Sequence, residues 1–542
     1  MKTYLFIILS LFLSSVMRIV LPWQNIMMGE TIRFNTVDAY YFVHLAELYP
    51  NIPQKDLMIG YPDGLNIFAP LWSQLIGFIG NVDFTAAILP AILGILTVIP
   101  VYFISKAILP QKLAVITTLV YSIFGGDLLI RTQLGAADHH ALELFAFMYT
   151  MMFVVLFIQS KKWYWLLSAM PFFILYCLAW AGWYLIPIML LAYLYCRYLS
   201  SLKKYEFIGG VFATILVIGI ILISDKWLDK LSILFWDINA TTAEEQPLFF
   251  SNGQFNSSIA WAQFGISFYL ALLGLGAFAY KYFKERKTVD LFFLVWTLSV
   301  LALTLAQQRF AMYLSLNVII LALYFCVILL KAIPKQKMIA TAVLVLLVIY
   351  PMINASVQQV TDKRNLMSVG WQETTQWLNI GRLLTWEDGK LKDVDGESFI
   401  KSWDKYKDGK SDFGVLSWWD YGYWIIQQGK CGAYATPGSD GHREIVAQLL
   451  LDTTEDELIR VMQEKNLRYL VIDSLMVTQK FKSIVSVAGY NEANYLPIGY
   501  QDTMLFKLYY GNPDRFKNVY NSKSQSKIDG LYYPETRVFE VK

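Results

Sequence analysis

Three short stretches of this 542-residue chain gather polar residues beside long apolar runs. Asn35-Thr-Val-Asp38 places one carboxylate just beyond the first run. Arg131-Thr-Gln-Leu-Gly-Ala-Ala-Asp138-His139-His140 sets two of the four histidines next to an aspartate. Thr241-Thr-Ala-Glu244-Glu245 adds two more carboxylates. Asp38, Asp138, His140 and Glu244 are suitable ligands for a divalent ion such as Mn2+ or Mg2+, since carboxylate oxygens and imidazole nitrogens are what such ions take. Taken singly, each also reads as a solvated loop residue, and Asp-His-His is a short motif. A fourth stretch, Ser417-Trp418-Trp419-Asp420-Tyr421-Gly422-Tyr423-Trp424, has little reason to exist as ordinary core. Buried indole N–H groups need partners, and a carboxylate among them is costly to bury unpaired.

The elements that must carry these residues are set by composition. The chain is 56% hydrophobic and 16% charged, with mean hydropathy +0.43. Soluble chains carry about 25% charged residues, so much of this surface must face lipid. The 17 Trp and 34 Tyr fit two membrane–water interfaces. A formal charge of +3 gives no argument for a nucleic-acid partner. Cys177, Cys196 and Cys326 lie inside apolar runs, which excludes a disulfide framework or a cysteine zinc site.

Apolar runs occur near 3–22, 83–105, 113–130, 141–158, 163–180, 182–200, 206–224, 259–280, 290–306, 310–330 and 338–354. Each is close to the roughly 20 residues of a spanning helix, which predicts eleven spans. Lys106 and Lys112, Lys161 and Lys162, Arg197 with Lys203 and Lys204, Lys281 to Lys287, and Lys331 to Lys337 fall in alternate short loops. The positive-inside rule makes those loops cytoplasmic. The loops 23–82, 131–140 and 225–258, and everything after 355, are then extracytoplasmic. The first run lacks a small-x-small cleavage site and continues through Arg18 to Trp23, so it reads as a retained anchor rather than a signal peptide.

The expected fold is therefore a multi-span α-helical membrane domain, 1–354, followed by a mixed α/β extracytoplasmic domain, 355–542. In the latter, Thr453-Thr454 followed by Asp456-Glu457 reads as a capping box opening a helix through Lys465. Leu467 to Ile472 reads as a buried strand and Leu475 onward as another helix, with Asp473 as its possible N-cap.

Trp418-Trp419-Asp420-Tyr421-Gly422 resembles the signature of the catalytic subunit of oligosaccharyltransferases, which perform asparagine-linked protein glycosylation. Other stretches match in the right order. Asp38 resembles the second acidic residue of the family's first Asp-x-Asp-type motif, with Thr36 departing at the first position. Arg131 to His140 resembles the second such motif in the Asp-His-His form of archaeal-type members. Thr241-Thr-Ala-Glu244 is similar to the Ser/Thr-x-x-Glu motif of a long external loop, and Gln308-Arg309-Phe310-Ala-Met-Tyr313 to a segment at the outer end of a late span. Asp473-Ser-Leu-Met476-Val-Thr-Gln-Lys480 looks like a variant of the helix motif completing the acceptor pocket. Members of this family usually have thirteen spans, the same parity as eleven.

The resemblance implies a donor, a polyprenyl-pyrophosphate-linked oligosaccharide held at a bilayer, and an acceptor, a polypeptide with Asn-x-Ser/Thr. An Asn amide is a poor nucleophile because its nitrogen lone pair is delocalised. Two carboxylates accepting its N–H groups would localise that pair, and the resemblance gives this task to Asp38 and Glu244. Asp38, Asp138, His140 and Glu244 would hold Mn2+ or Mg2+, and Arg131 and Arg309 would face the donor pyrophosphate. Trp418, Trp419 and Asp420 would read the acceptor hydroxyl. Met476, one helical turn before Lys480, would pack on a threonine methyl, although core and surface readings of this pair stay open. Arg309 would also favour an acidic residue two positions before the acceptor Asn.

A chain with every motif is expected to act as a single subunit in a cell membrane, with its active site extracytoplasmic. Two other readings stay open. A glycosyltransferase using a polyprenyl-phosphate sugar on lipid or hydroxyl acceptors would share the acidic loops but has no use for the Trp-Trp-Asp run. A transporter would need charges at mid-membrane, where these runs carry almost none. The loop 225–258 also holds an acceptor sequence of its own, Asp237-Ile-Asn239-Ala-Thr241, expected to stay largely unmodified.

Overall fold

The computed structural model describes residues 2–28, 31–51, 71–180, 182–201, 243–251, 254–332, 339, 341, 343, 345–362, 367–381, 384–387, 390–393, 414–437, 442–491, 499–511 and 513–542. The run 206–224, part of the run 338–354, and the acceptor sequence around Asn239 lie outside them. Among the described residues, those up to 31 and those in 87–362 form one compact unit; those in 32–51, 71–86 and 367–542 form a second.

Six helices among the described residues are long and apolar enough to cross a membrane: Tyr4–Ile26, Val82–Ile108, His140–Ser160, Ile266–Glu285, Thr288–Ala306 and Gln308–Ala332. Gln111–Ile123, Tyr164–Ala179 and Leu185–Leu199 are shorter apolar helices. Two of the expected runs are interrupted. The run 113–130 stops being helical at Phe124, and only the single turn Asp127–Ile130 follows. The run 259–280 breaks at Gly265, whose φ of 58° suits a residue without a Cβ, between Ser258–Phe264 and Ile266–Glu285.

In the first unit the helices pack through aromatic side chains. Phe147 meets Tyr313 edge-on at 4.6 Å and Tyr176 at 5.8 Å. The helix Ile266–Glu285 approaches the helix Ala311–Ala332 closely at Gly274, where a Cβ would stand 2.2 Å from the Leu321 carbonyl oxygen. Small residues at such crossings let apolar helices pack without a hydrophobic drive between them.

The second unit holds a five-stranded mixed sheet. Its strands are β1 (Gly414–Leu416), β2 (Gly432–Ala433), β3 (Leu467–Asp473), β4 (Phe516–Asn521) and β7 (Thr536–Val541); the hairpin β5 (Gln525–Ile528) and β6 (Leu531–Pro534) pairs separately. The order is β4-β7-β3-β1-β2. β1 is parallel to β2 and β3, whereas β7 is antiparallel to β3 and β4. Central β3 is buried along its length except at Arg468, as the near-continuous apolar run Leu467 to Ile472 requires. The N-cap half of the expected capping box is present: the Thr454 hydroxyl accepts from the Glu457 N–H at 3.2 Å and opens the helix Glu455–Glu464, while the Glu457 carboxylate pairs with Arg460. The mixed α/β character expected for this part of the chain is what the structure has.

One local expectation fails. Met476 and Lys480 do not share a helix: Ser474–Val477 is a single turn, ended at Thr478, whose φ of −119° and ψ of −88° leave the helical region. Lys480 instead precedes the next helix, Phe481–Val487. The turn is closed by the Lys480 N–H, which returns to the Leu475 carbonyl at 2.8 Å, while the Thr478 hydroxyl donates to the Ser474 carbonyl at 2.7 Å.

Candidate active site and metal centre

In the first unit the loop Arg131 to His139 enters the helix His140–Ser160. It is pinned from the first helix: Arg18, fully buried, donates to the Thr132 hydroxyl at 3.0 Å and to the Ser122 carbonyl at 3.1 Å, and its own carbonyl accepts from Leu134 N–H at 2.8 Å. Asp138, His139 and His140 are all buried, and each offers a ligand atom within 4.8 Å of the others. A carboxylate with two imidazoles is a donor set that suits a divalent transition ion, so these residues fit the metal expected from the sequence. His139 was not among the expected ligands. Its Nδ1 lies 2.6 Å from Asp138 Oδ1, while His140 Nε2 lies 3.6 Å from Asp138 Oδ2.

Arg131 is the hub of this cluster. Its guanidinium contacts His140 Nε2, pairs with Glu244 Oε2 at 2.7 Å and with Asp127 Oδ2 at 3.3 Å. Burial would lower the Arg131 pKa, but the carboxylates of Asp127, Glu244 and Asp138 outweigh it and hold the guanidinium more firmly charged than usual. Glu244 sits in the one-turn helix Ala243–Glu245, tied to the turn Gln308–Phe310 by the Gln308 N–H on the Gln246 carbonyl at 2.9 Å. Arg309 on that turn reaches Glu244 Oε1 at 3.6 Å and lies over the Trp180 ring. Burial would raise the Glu244 pKa, but the two guanidiniums hold it down, at about 2. The two arginines expected to face phosphate therefore converge on one carboxylate. Thr241 and Thr242 of that motif lie outside the described residues.

Asp38 belongs to the second unit, in the first turn of the helix Val37–Glu47. Thr36, the departure from the Asp-x-Asp pattern, is that helix's N-cap: its hydroxyl accepts from the Ala39 N–H at 3.2 Å.

The second unit also carries the aromatic signature. Trp419–Tyr421 is a single 3-10 turn after β1, followed by the helix Gly422–Gln427. Trp418 Nε1 donates to Asp420 Oδ2 at 3.1 Å, and Lys480 pairs with the same oxygen while lying over the Tyr421 ring. Trp419 Nε1 is buried with no hydrogen-bond partner among the described residues. Asp473 caps the turn Ser474–Val477 by accepting from the Met476 N–H at 2.8 Å, and also accepts from Trp371 Nε1 at 2.8 Å. Burial pushes its pKa up, against those donors. Met476 is fully buried.

Glu143 joins this cluster although it belongs to none of the motifs noted in the sequence. It lies in the first turn of the helix His140–Ser160, where His140 Nδ1 meets its Oε2 at 3.0 Å. A lone glutamate three residues after a histidine inside an apolar span was the available signal.

A family model for the AglB core domain matches residues 368–477. Dolichyl-phosphooligosaccharide-protein glycotransferase 3 of Archaeoglobus fulgidus is 23% identical over 620 residues, covering 88% of this chain and 70% of its own length. Among solved structures, archaeal oligosaccharyltransferase AglB from Archaeoglobus fulgidus, in complex with an inhibitory peptide and a dolichol-phosphate, superposes with a TM-score of 0.80 at 16% identity, over 100% of this chain and 88% of that one. A second Archaeoglobus fulgidus oligosaccharyltransferase structure, a complex with Zn and sulfate, gives 0.72 at 16% identity over 99% and 88%. At these identities the structural likeness shows the fold.

Proposed function

We propose that this chain, a member of the oligosaccharyltransferase catalytic-subunit family, uses its external loops to transfer an oligosaccharide en bloc from a polyprenyl-pyrophosphate donor to the Asn of Asn-x-Ser/Thr in polypeptides. The observation that carries the reading is the convergence of Arg131, Arg309, Glu244, Asp138 and His140 in a unit otherwise built of apolar helices.

Asp138 and His140, with Glu244 and, by the family resemblance, Asp38, would hold a divalent ion; His139 is a further ligand candidate. When bound, the ion supplies positive charge against the leaving pyrophosphate and orders the carboxylates. The imidazoles favour Mn2+ over Mg2+, which prefers oxygen ligands. Arg131 and Arg309 supply fixed positive charge for phosphate oxygens, a task suited to the guanidinium fork. Asp38 and Glu244 accept the two amide N–H groups of the acceptor Asn; Glu244 stays ionised at neutral pH for this purpose. Asp420 accepts the acceptor hydroxyl, with Trp418 and Trp419 as indole donors, and Lys480 holds the Asp420 carboxylate before acceptor arrives. Met476 would reach a threonine methyl only if its surroundings shift, since it is fully buried.

The same reading places the membrane domain at 1–354 and the acceptor-binding domain at 355–542. It gives eleven to thirteen spans in a cell membrane, an extracytoplasmic active site, and action as a single subunit. Purified protein incubated with labelled lipid-linked oligosaccharide and an Asn-x-Thr peptide tests it. Glycopeptide is the expected product; label moving to lipid or to a hydroxyl acceptor would favour a polyprenyl-phosphate-dependent glycosyltransferase instead.

A further inference from the structure

The hydrogen bonds around His140 fix which of its nitrogens carries the proton. A guanidinium only donates, and Arg131 meets His140 at Nε2. Nε2 is therefore the acceptor, and the ring proton sits on Nδ1. That proton points to Glu143 Oε2 at 3.0 Å. Glu143 Oε1 accepts the Tyr313 hydroxyl, so the Tyr176 hydroxyl, 3.3 Å from that of Tyr313, must donate onward to it. Glu143 is 1% exposed, and Tyr176 and Tyr313 are fully buried.

A carboxylate buried on an apolar helix is expensive unless its oxygens are occupied. Here each oxygen has a donor, His140 on the same helix and Tyr313 on Ala311–Ala332, and Tyr176 on Tyr164–Ala179 donates in turn to Tyr313. Glu143 Oε2 also lies 3.6 Å from His139 Nε2, so one carboxylate faces both rings.

The geometry points to Glu143 as a positioning residue for the metal centre, with Tyr313 and Tyr176 holding it: it keeps the His140 proton on Nδ1 and presents Nε2, bare and basic, to a divalent cation. The inference rests on the metal reading above. Carboxylate–histidine–metal arrangements of this kind raise ligand basicity and fix ring orientation, and loss of the carboxylate typically weakens metal binding by about 10–100-fold. Arg131 lies against Nε2, the side of the ring turned away from Glu143, where a divalent cation would take its place.

The experiment measures Mn2+ affinity of the purified full chain in detergent, by electron paramagnetic resonance of free Mn2+, together with the thermal midpoint without added ion. Glu143→Ala is expected to weaken Mn2+ by about 10–100-fold, Glu143→Gln by less because its amide oxygen still accepts from Nδ1–H, and Tyr313→Phe by a few-fold (the tyrosine acts one bond further out). Should Glu143→Ala fail to fold, Glu143→Gln and Tyr313→Phe decide the matter, since both keep the buried shape. A packing role alone would lower the midpoint and leave affinity untouched. Unchanged affinity in the folded variants, beside a wild type that binds Mn2+, overturns the inference alone. A wild type that binds no Mn2+ overturns the metal reading and the inference with it.

Discussion

The polar cluster of the first unit and the aromatic cluster of the second solve the same problem by different means. Around Arg131 the contacts are between charged groups: two arginines face Glu244, Asp127 pairs with Arg131, and Asp138 and Glu143 lie against the two imidazoles. Around Trp418 to Tyr421 there is little net charge to balance. Buried Asp473 is served by an indole N–H and a backbone N–H, and among the described residues the ion pair here is the partly exposed Asp420–Lys480, with side chains 24% and 27% exposed. A cluster held by mutual charge has several groups whose positions depend on the sign of their neighbours. One held by neutral donors depends on shape. Substitutions that keep shape but remove charge should therefore be ruinous in the first and tolerable in the second.

The sharpest contrast is between two Asp→Asn changes. Asp138→Asn, like Asp138→Ala or Glu244→Ala, is expected to lower glycopeptide formation by roughly 1,000-fold with expression intact, since it removes a ligand of the ion that would neutralise the leaving pyrophosphate. Chelation should abolish transfer in the wild type and Mn2+ should restore it. Full activity in chelator would remove the metal from the comparison altogether.

Asp420→Ala comes next. A site built to bond a hydroxyl rejects analogues that lack it, so the preference for Asn-x-Thr over Asn-x-Ala peptides should shrink by roughly 100-fold in kcat/KM. Retained discrimination would mean that the hydroxyl is read elsewhere.

Asp473 sharpens the other side. Asp473→Ala strips a cap and leaves the Trp371 indole without its acceptor, which should cost about 2 kcal/mol and lower the melting midpoint. Asp473→Asn keeps an acceptor oxygen for one of the two donors and puts an NH2 against the other, so it should cost less, about 1 kcal/mol. There is also a pH signature. Because burial raises the Asp473 pKa in the folded chain, its contribution to stability is complete below the unfolded value and is lost as pH rises through the folded one. The Asn variant should flatten that part of the stability–pH curve; an unchanged slope would place the titration elsewhere.

The smallest expected effect concerns Arg309. Its contact to Glu244 is long, at 3.6 Å, so one guanidinium can serve a second anion. Peptides of the form Asp-x-Asn-x-Thr should be favoured over Ala-x-Asn-x-Thr by about 3-fold, the scale of a partly exposed ion pair. Equal rates would refute the preference.

Much of this was legible in the chain itself. Hydropathy and length dictate the long apolar helices, because a backbone in lipid must close its own hydrogen bonds. Thr454 with Glu457, and the apolar run into β3, are local signals that read through directly, since caps and burial patterns act over a few residues. The short motifs named Arg131, Asp138, His140, Glu244 and Arg309 as groups fit for one chemistry.

Only the tertiary structure decided how those groups meet. No spacing reveals that Arg131 and Arg309, on different helical segments, share Glu244, nor that Tyr313 and Tyr176 close over Glu143. The break at Thr478 was equally hidden, because Ser474 to Lys480 contains neither Gly nor Pro to mark it. Sequence specifies which side chains can bear charge or donate a proton. Their partners lie many residues away, and the energy of a buried charge is set by those partners, so it exists only once the helices have packed.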